Sequence, residues 1–191
     1  VAEAQVELAR LSLASGDANA AVRRAQEAKQ TDPANLAARV TLVRSLLARG
    51  DLAQADAEIA TLAASAPGSA AVAALNGSVM ARRGNAAGAR TLFERARQLS
   101  PDLVDAVAGL VLLDLEARQP VAALARVDAA LAQRPDSPEL LALAAHVHLA
   151  MDHPELAEQA LRHAVASDPW FFTGYELLAR LYLRQQRLHE A

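Results

Sequence analysis

The segment GNAAGARTLFERARQLSP, residues 84 to 101, decides the fold of this chain. It opens with a Gly-Asn pair, in which the glycine is typical of the end of one helix and the asparagine caps the start of the next. Small and aliphatic residues follow at helical spacing, and Pro101 marks the turn that ends the segment. The segment therefore predicts a tight turn, a helix and a second turn.

The same signals recur every 34 residues along the chain. Five of the eight prolines share one frame, at Pro33, Pro67, Pro101, Pro135 and Pro169. The turn pair Gly84-Asn85 has in-frame counterparts at Gly16-Asp17 and Gly50-Asp51, and later units carry other residues in place of the glycine, namely Arg118, Asp152 and Gln186. A fixed period of this length indicates a repeat protein in which each unit contributes one helix pair.

The period sets the predicted boundaries. Five full repeats span residues 2–35, 36–69, 70–103, 104–137 and 138–171, and a partial sixth spans 172–191. Because one repeat cannot bury its apolar face alone, stacked repeats share a continuous core, so we expect a single array over 1–191. The sixth repeat lacks a second helix, and we expect the native chain to continue past Ala191.

Composition supports helices and excludes several classes of function. Of the 191 residues, 53% are hydrophobic and only 3% aromatic, which favours close-packed helices of Ala, Leu and Val, and there is no period-two alternation that would predict strands. There is no cysteine, and no apolar run approaches the roughly 20 residues of a membrane span. The net charge of -3 gives no electrostatic basis for binding nucleic acid. We expect neither a nucleic-acid partner nor direct membrane insertion.

The source and compartment are only weakly indicated. Lys29 is the single lysine among 19 basic residues, which we interpret as the codon usage of a GC-rich bacterial genome. No targeting segment is present in this sequence, so both the bacterial cytoplasm and the periplasm stay open.

Two half-motifs carry a family resemblance. Tyr175-x2-Leu178-Ala179-x2-Tyr182 matches the first half of the pattern W-x2-L-G-x2-Y, and Ala89-x3-Phe93 followed by Pro101 matches its second half, A-x3-F and P. Gly77 keeps the glycine of the first half. The chain therefore resembles the tetratricopeptide repeat (TPR) family. This resemblance implies an all-α fold, a right-handed α-α superhelical solenoid of helix-turn-helix repeats, that serves as a scaffold for protein–protein interaction.

The resemblance also implies where a partner binds, because the first helices of TPR arrays line the concave surface. We expect a peptide or helix of a partner protein to bind there, with no cofactor. The predicted groove residues are Arg10, Leu13, Val40, Arg44, Leu47, Ser78, Arg82, Leu112, Leu115, His146, Leu149, Arg180 and Arg184. The aliphatic members can instead belong to the core between repeats, and the arginines either bind carboxylates or are simply solvated. Alanines of the central repeats, such as Ala74 and Ala108, are expected to leave room for a bulky anchor.

Two further features bear on the partner. Some TPR proteins bind chaperone tails through Lys and Asn on the first helices, but this chain has Val6 and Arg10, then Val40 and Arg44, at those sites, so that function is not supported. The aromatic run 170–172 (Trp-Phe-Phe) is either a binding anchor or a staple that covers the junction of repeats five and six, and we favour the staple.

No pattern of catalytic or metal-binding residues is found. His146 and His148 are two positions apart on a helix, so their side chains diverge and cannot chelate one ion. Asp114 and Glu116 have the same spacing and do not form a local acid/base pair. We expect no enzyme activity and no metal site. Alternatives to a free scaffold are a regulatory or docking segment of a larger enzyme or polysaccharide-secretion assembly, and self-association through the uncovered C-terminal end.

Overall fold

A computed structural model describes residues 1–187 and residue 189, and Leu188, Glu190 and Ala191, which belong to the predicted partial repeat, lie outside the described residues. Within the described part, all regular secondary structure is α-helical. The helices are α1 (Ala2–Ala14), α2 (Ala18–Thr31), α3 (Leu36–Arg49), α4 (Leu52–Ser65), α5 (Ala70–Arg82), α6 (Ala86–Leu99), α7 (Val104–Glu116), α8 (Pro120–Leu131), α9 (Pro138–Ala150), α10 (Pro154–Ser167) and α11 (Phe172–Arg184). Two helices fall in each predicted full repeat, and α11 is the first helix of the sixth.

The chain divides into two compact units, Val1–Asp105 and Ala106–Ala191. In the first unit, α1 packs against α2 and α5 against α6, and the first helices α1, α3 and α5 also pack on one another. In the second unit, α9 packs against α10 and α11. A single array over 1–191 stays a prediction.

The turns inside the repeats depend on a left-handed backbone residue. Gly16, Gly50 and Gly84 have φ of 79°, 83° and 78°, and each joins the two helices of its repeat. The later repeats keep this conformation with other residues, since φ is 56° at Arg118, 61° at Asp152 and 60° at Gln186. A side chain with a Cβ is strained in this conformation, so these three turns hold the geometry at an energetic cost.

Six of the helices begin after a residue whose side chain caps the first turn. The side chains of Asp17, Asn35, Asp51, Ser69, Asn85 and Ser137 each accept a hydrogen bond from a backbone N–H three residues later. The helices α8, α9 and α10 begin with a proline, whose missing N–H has no partner at the first helical position in any case. The starts of α2 to α6 and of α8 to α10 therefore carry local signals that do not depend on packing between repeats.

A core cluster of the first unit is made of aliphatic side chains from α1 to α5. Its members are Ala9, Val22, Ala25, Leu42, Val43, Leu46, Leu47, Ala55, Ile59, Leu62, Val72, Leu75 and Val79. The one large aromatic ring buried in this unit, Phe93 at 2% exposure, lies against Gly77. A Cβ added at Gly77 would lie 2.9 Å from the ring atoms Cδ1 and Cε1, so the glycine leaves the space that the ring occupies.

The core of the second unit includes the inner face of α11. Leu178, Leu181 and Tyr182 of that helix pack with Ala145 of α9 and Leu161 of α10. Around this core, the Arg187 guanidinium donates to Glu158 Oε2 at 2.5 Å and lies over the Tyr182 ring, 4.7 Å from its centroid. The hydrogen bond from Arg187 is the main reason that the pKa of the Glu158 carboxyl lies below its usual value.

Candidate binding groove

The structure places most of the predicted groove residues at the surface. The five arginines Arg10, Arg44, Arg82, Arg180 and Arg184 are all at least partly exposed, as expected for charged side chains on this face. Leu112 and His146 are also exposed, and the remaining partly accessible members are Leu13, Val40, Ser78, Leu115 and Leu149. Leu47 differs, because only 8% of its surface is exposed and it belongs to the core of the first unit.

Three of these arginines have carboxylate partners in their own chain. Arg10 pairs with Glu7 at 2.7 Å and Arg180 with Glu176 at 2.6 Å, each along one helix. Arg44 of α3 pairs with Asp105, at the start of α7. By contrast, Arg82 and Arg184 form no ion pair within the described part of the chain.

An open cleft lies between the first helices α9 and α11 of the second unit. It has a volume of about 430 Å³. Its lining consists of Ala142, Ala145, His146, Leu149, Ala150, Leu161, Leu177, Arg180, Leu181 and Arg184. We name it the α9–α11 cleft. Four of the predicted groove residues are brought together here, namely His146, Leu149, Arg180 and Arg184.

The α9 wall of the cleft includes three alanines, Ala142, Ala145 and Ala150. Three periods earlier, α3 has Val40 and Val43 where α9 has Ala142 and Ala145. With the larger valines, the leucine of that register, Leu47, is buried, whereas its counterpart Leu149 is partly exposed. The smaller side chains along one wall leave space that neighbouring side chains do not fill.

Two expectations about bulky contacts are wrong. Ala74, which was expected to leave room for an anchor, is 1% exposed and forms part of the packed interior of the first unit. Trp170 and Phe172 do not cover a junction as a staple, since they are 79% and 69% exposed and meet edge to face with ring centroids 6.1 Å apart. Only Phe171 turns inward, where its ring lies close to Gly174.

A second cleft, which the sequence did not suggest, lies among helices of the first unit. It has a volume of about 650 Å³ between the second helices α2 and α4, over Leu42 and Leu46 of α3. Lys29 of α2 reaches Glu58 of α4, with Nζ 2.5 Å from Oε2, and Arg39 Nε donates to Oε1 at 3.1 Å. Burial alone would raise the pKa of the Glu58 carboxyl, but these hydrogen bonds more than offset it and hold the pKa below its usual value.

The acidic pair Asp114 and Glu116 and the histidine pair His146 and His148 each combine one less accessible side chain with one exposed side chain. Asp114, only 1% exposed, accepts a hydrogen bond from Arg126 Nε at 2.6 Å, while Glu116 points to solvent. Burial lowers the pKa of His148, and the exposed His146 lies on the other side of α9. Among residues 1–187 and 189, no group of three His, Asp or Glu side chains is arranged to hold a metal ion. None of the described helices has the length and apolar character of a membrane span.

Comparison with solved structures supports the fold. A thermophilic TPR protein of Thermus thermophilus matches with a TM-score of 0.81 at 20% identity, over 96% of this chain and 100% of that one. PilF of Pseudomonas aeruginosa matches with a TM-score of 0.64 at 19% identity, over 98% and 91%. YrrB, a TPR protein with an unusual peptide-binding site, matches with a TM-score of 0.52 at 14% identity, over 91% and 89%. The predicted all-α fold of TPR helix-turn-helix repeats is confirmed.

A comparison with curated proteins gives no significant match. The tetratricopeptide repeat family model, in contrast, matches residues 12–78, 80–147 and 114–171, which together cover most of the chain. With the in-frame turns, the helix pairs and the solved TPR structures in agreement, this chain belongs to the tetratricopeptide repeat family.

Proposed function

We propose that this chain binds a peptide or helix of a partner protein on the face formed by its first helices. In this proposal the α9–α11 cleft holds the apolar side chain that anchors the bound segment. TPR proteins are protein-interaction scaffolds, and the family assignment places the chain in that general class. The more specific part of the proposal is which surface binds the partner, and that part is argued from the α9–α11 cleft.

The chemistry of the cleft supports recognition of a protein segment. Leu149, Leu177 and Leu181 give it an aliphatic lining, and the polar and charged groups come from His146, Arg180 and Arg184. A concave apolar site with a few polar groups at its edge is the usual form of a binding pocket, and a volume of about 430 Å³ is within the normal range for one. An amphipathic helix that places an apolar side chain in such a cleft is an established mode of peptide recognition.

One solved structure of similar fold supports a peptide-binding function in general terms. YrrB, which shares the fold, has a peptide-binding site of its own. Within the second unit, the first helices α9 and α11 pack against each other, so a bound segment can contact more than one repeat.

A peptide-display selection on the whole chain tests the proposal. Peptides selected on the wild type are measured against Ala142→Leu, which fills the α9–α11 cleft, and against Ala57→Leu, which fills the α2–α4 cleft as a matched control. We expect Ala142→Leu to weaken binding at least tenfold and Ala57→Leu to leave it unchanged, with both variants verified as folded by circular dichroism. Selected peptides that bind both variants as tightly as the wild type would show that the α9–α11 cleft is not the site.

A further inference from the structure

The two charged side chains that line the α9–α11 cleft are both arginines, and His146 adds a polar ring. Arg180 and Arg184 come from α11, and His146 comes from α9. No carboxylate is among the residues that line the cleft. A ligand that placed positive charge here would meet repulsion, and a ligand that placed negative charge would meet attraction at short range.

Both arginines are exposed and accessible to a ligand in the described part of the chain. The side chain of Arg184 is exposed and forms no ion pair or hydrogen bond with any residue of the described part of the chain. Among the described residues Arg180 pairs only with Glu176, and both side chains are more than half exposed. Surface pairs of this kind contribute little to stability, so a carboxylate from a ligand can replace Glu176 at small cost.

The chain itself shows an arginine of this register holding a carboxylate from a different helix. Arg44 stands four periods before Arg180, at the same position of the repeat. Arg44 of α3 binds Asp105, which lies at the start of α7 and is 61 residues away in sequence. An arginine at this position can therefore reach a carboxylate that approaches over the first-helix face.

The spacing of the arginines defines the ligand further. Arg180 and Arg184 are four residues apart on one helix, so they share a face and are separated by about 6 Å along the axis. Two carboxylates one turn apart on a helical ligand have the same separation. The aliphatic lining between α9 and α11 then takes an apolar side chain from the adjacent face of that ligand.

We propose, on the basis of the function proposed above, that the occupant of the α9–α11 cleft is an acidic amphipathic helix. Its apolar side chain enters the cleft, and two carboxylates one turn apart pair with Arg180 and Arg184. The partner protein is thus one that presents an acidic helical segment with leucine-like anchors.

Three matched peptides test this inference by fluorescence anisotropy on the whole chain. Each is a labelled amphipathic helix with leucines at i, i+3, i+4 and i+7, flanked by glutamate, by glutamine or by lysine. We expect the glutamate peptide to bind about tenfold more tightly than the glutamine peptide at low salt, and the lysine peptide to bind least. The double variant Arg180→Gln with Arg184→Gln should remove the advantage of glutamate, whereas Arg23→Gln, an exposed arginine of α2, should leave it intact.

The outcomes separate the two proposals. If the glutamate and glutamine peptides bind the wild type equally and neither binds Ala142→Leu, the proposal of an acidic ligand is overturned. The α9–α11 cleft is then still supported as the binding site. A glutamate preference that survives loss of both arginines would also overturn it, because the charge is then recognised elsewhere. If none of the three peptides binds the wild type, the acidic ligand is overturned, and the proposed function then depends on the display selection alone.

Discussion

The contact between Gly77 and Phe93 allows a quantitative test of how the repeats pack. A Cβ at Gly77 would lie 2.9 Å from Cδ1 and Cε1 of the ring and 3.1 Å from Cζ, and the ring is buried. Replacing a mid-helix glycine by alanine stabilises a helix by about 1 kcal/mol. Overpacking a buried contact costs about 1–3 kcal/mol, so we expect Gly77→Ala to destabilise the chain by up to about 2 kcal/mol.

A double-mutant cycle separates these two effects. Phe93→Leu alone should cost about 1–2 kcal/mol, because a smaller side chain leaves a cavity beside the glycine. In the double variant the added methyl group occupies that cavity. The replacement of glycine by alanine then stabilises the helix without a clash against the ring. We therefore expect the double variant to be about 1–3 kcal/mol more stable than the sum of the single variants implies.

The assay is urea unfolding followed by far-ultraviolet circular dichroism, with the slopes compared to verify that all four proteins unfold in the same way. Amide hydrogen exchange of α5 and α6 gives a local measurement if the repeats do not unfold together. If the free-energy changes of the two single variants add up to that of the double variant within about 0.5 kcal/mol, the proposed contact between Gly77 and Phe93 is refuted, because residues without a shared contact behave additively.

Three further predictions follow from the turns, the buried carboxylate and the exposed aromatics. Arg118→Gly should stabilise the chain by about 1 kcal/mol and Gly50→Ala should destabilise it by a similar amount, because both turns have a left-handed φ and no atom lies within 4 Å of a Cβ at Gly50. Urea unfolding that shows a change of the same sign in the unfolding free energy of both variants would contradict this. Glu58→Gln should lower the unfolding free energy by about 1–2 kcal/mol at pH 7. Because the pKa of Glu58 is lowered in the folded state, this stabilisation should disappear as the pH falls below the usual glutamate pKa of about 4.3. An equal difference in unfolding free energy between wild type and variant at pH 3 and pH 7 would exclude the ion pairs as its origin. Trp170→Ala with Phe172→Ala should change the unfolding free energy by less than about 1 kcal/mol, and a loss above about 3 kcal/mol would mean that the rings are buried.

The local structure of this chain was predictable because its signals are local. Turn residues and caps act within a few positions, so the helix pairs follow from the period alone, and the pairing of Arg180 with Glu176 is visible from their i,i+4 spacing. The same rule applies to Glu7 and Arg10. Even the left-handed turn at Arg118 could be placed, since its position in the repeat is that of a glycine.

The features that sequence reasoning missed depend on contacts between repeats. The partner of Arg44 lies 61 residues away, and no spacing rule connects the two. Whether an alanine opens a space depends on the side chains around it, so Ala74 is buried while Ala142 lines a cleft. The exposure of Trp170 was missed because large aromatic side chains usually bury most of their area. That is a statistical preference, and it does not determine the exposure of one side chain in one turn.

The proposed binding mode requires that a ligand lies between the first helices α9 and α11. Amide hydrogen exchange of the whole chain, measured alone and with saturating glutamate peptide, tests this directly. The claim predicts slower exchange in α9 and α11, with α2 and α4 unchanged. Slower exchange confined to α2 and α4, or none in α9 and α11 with the peptide bound, would contradict it.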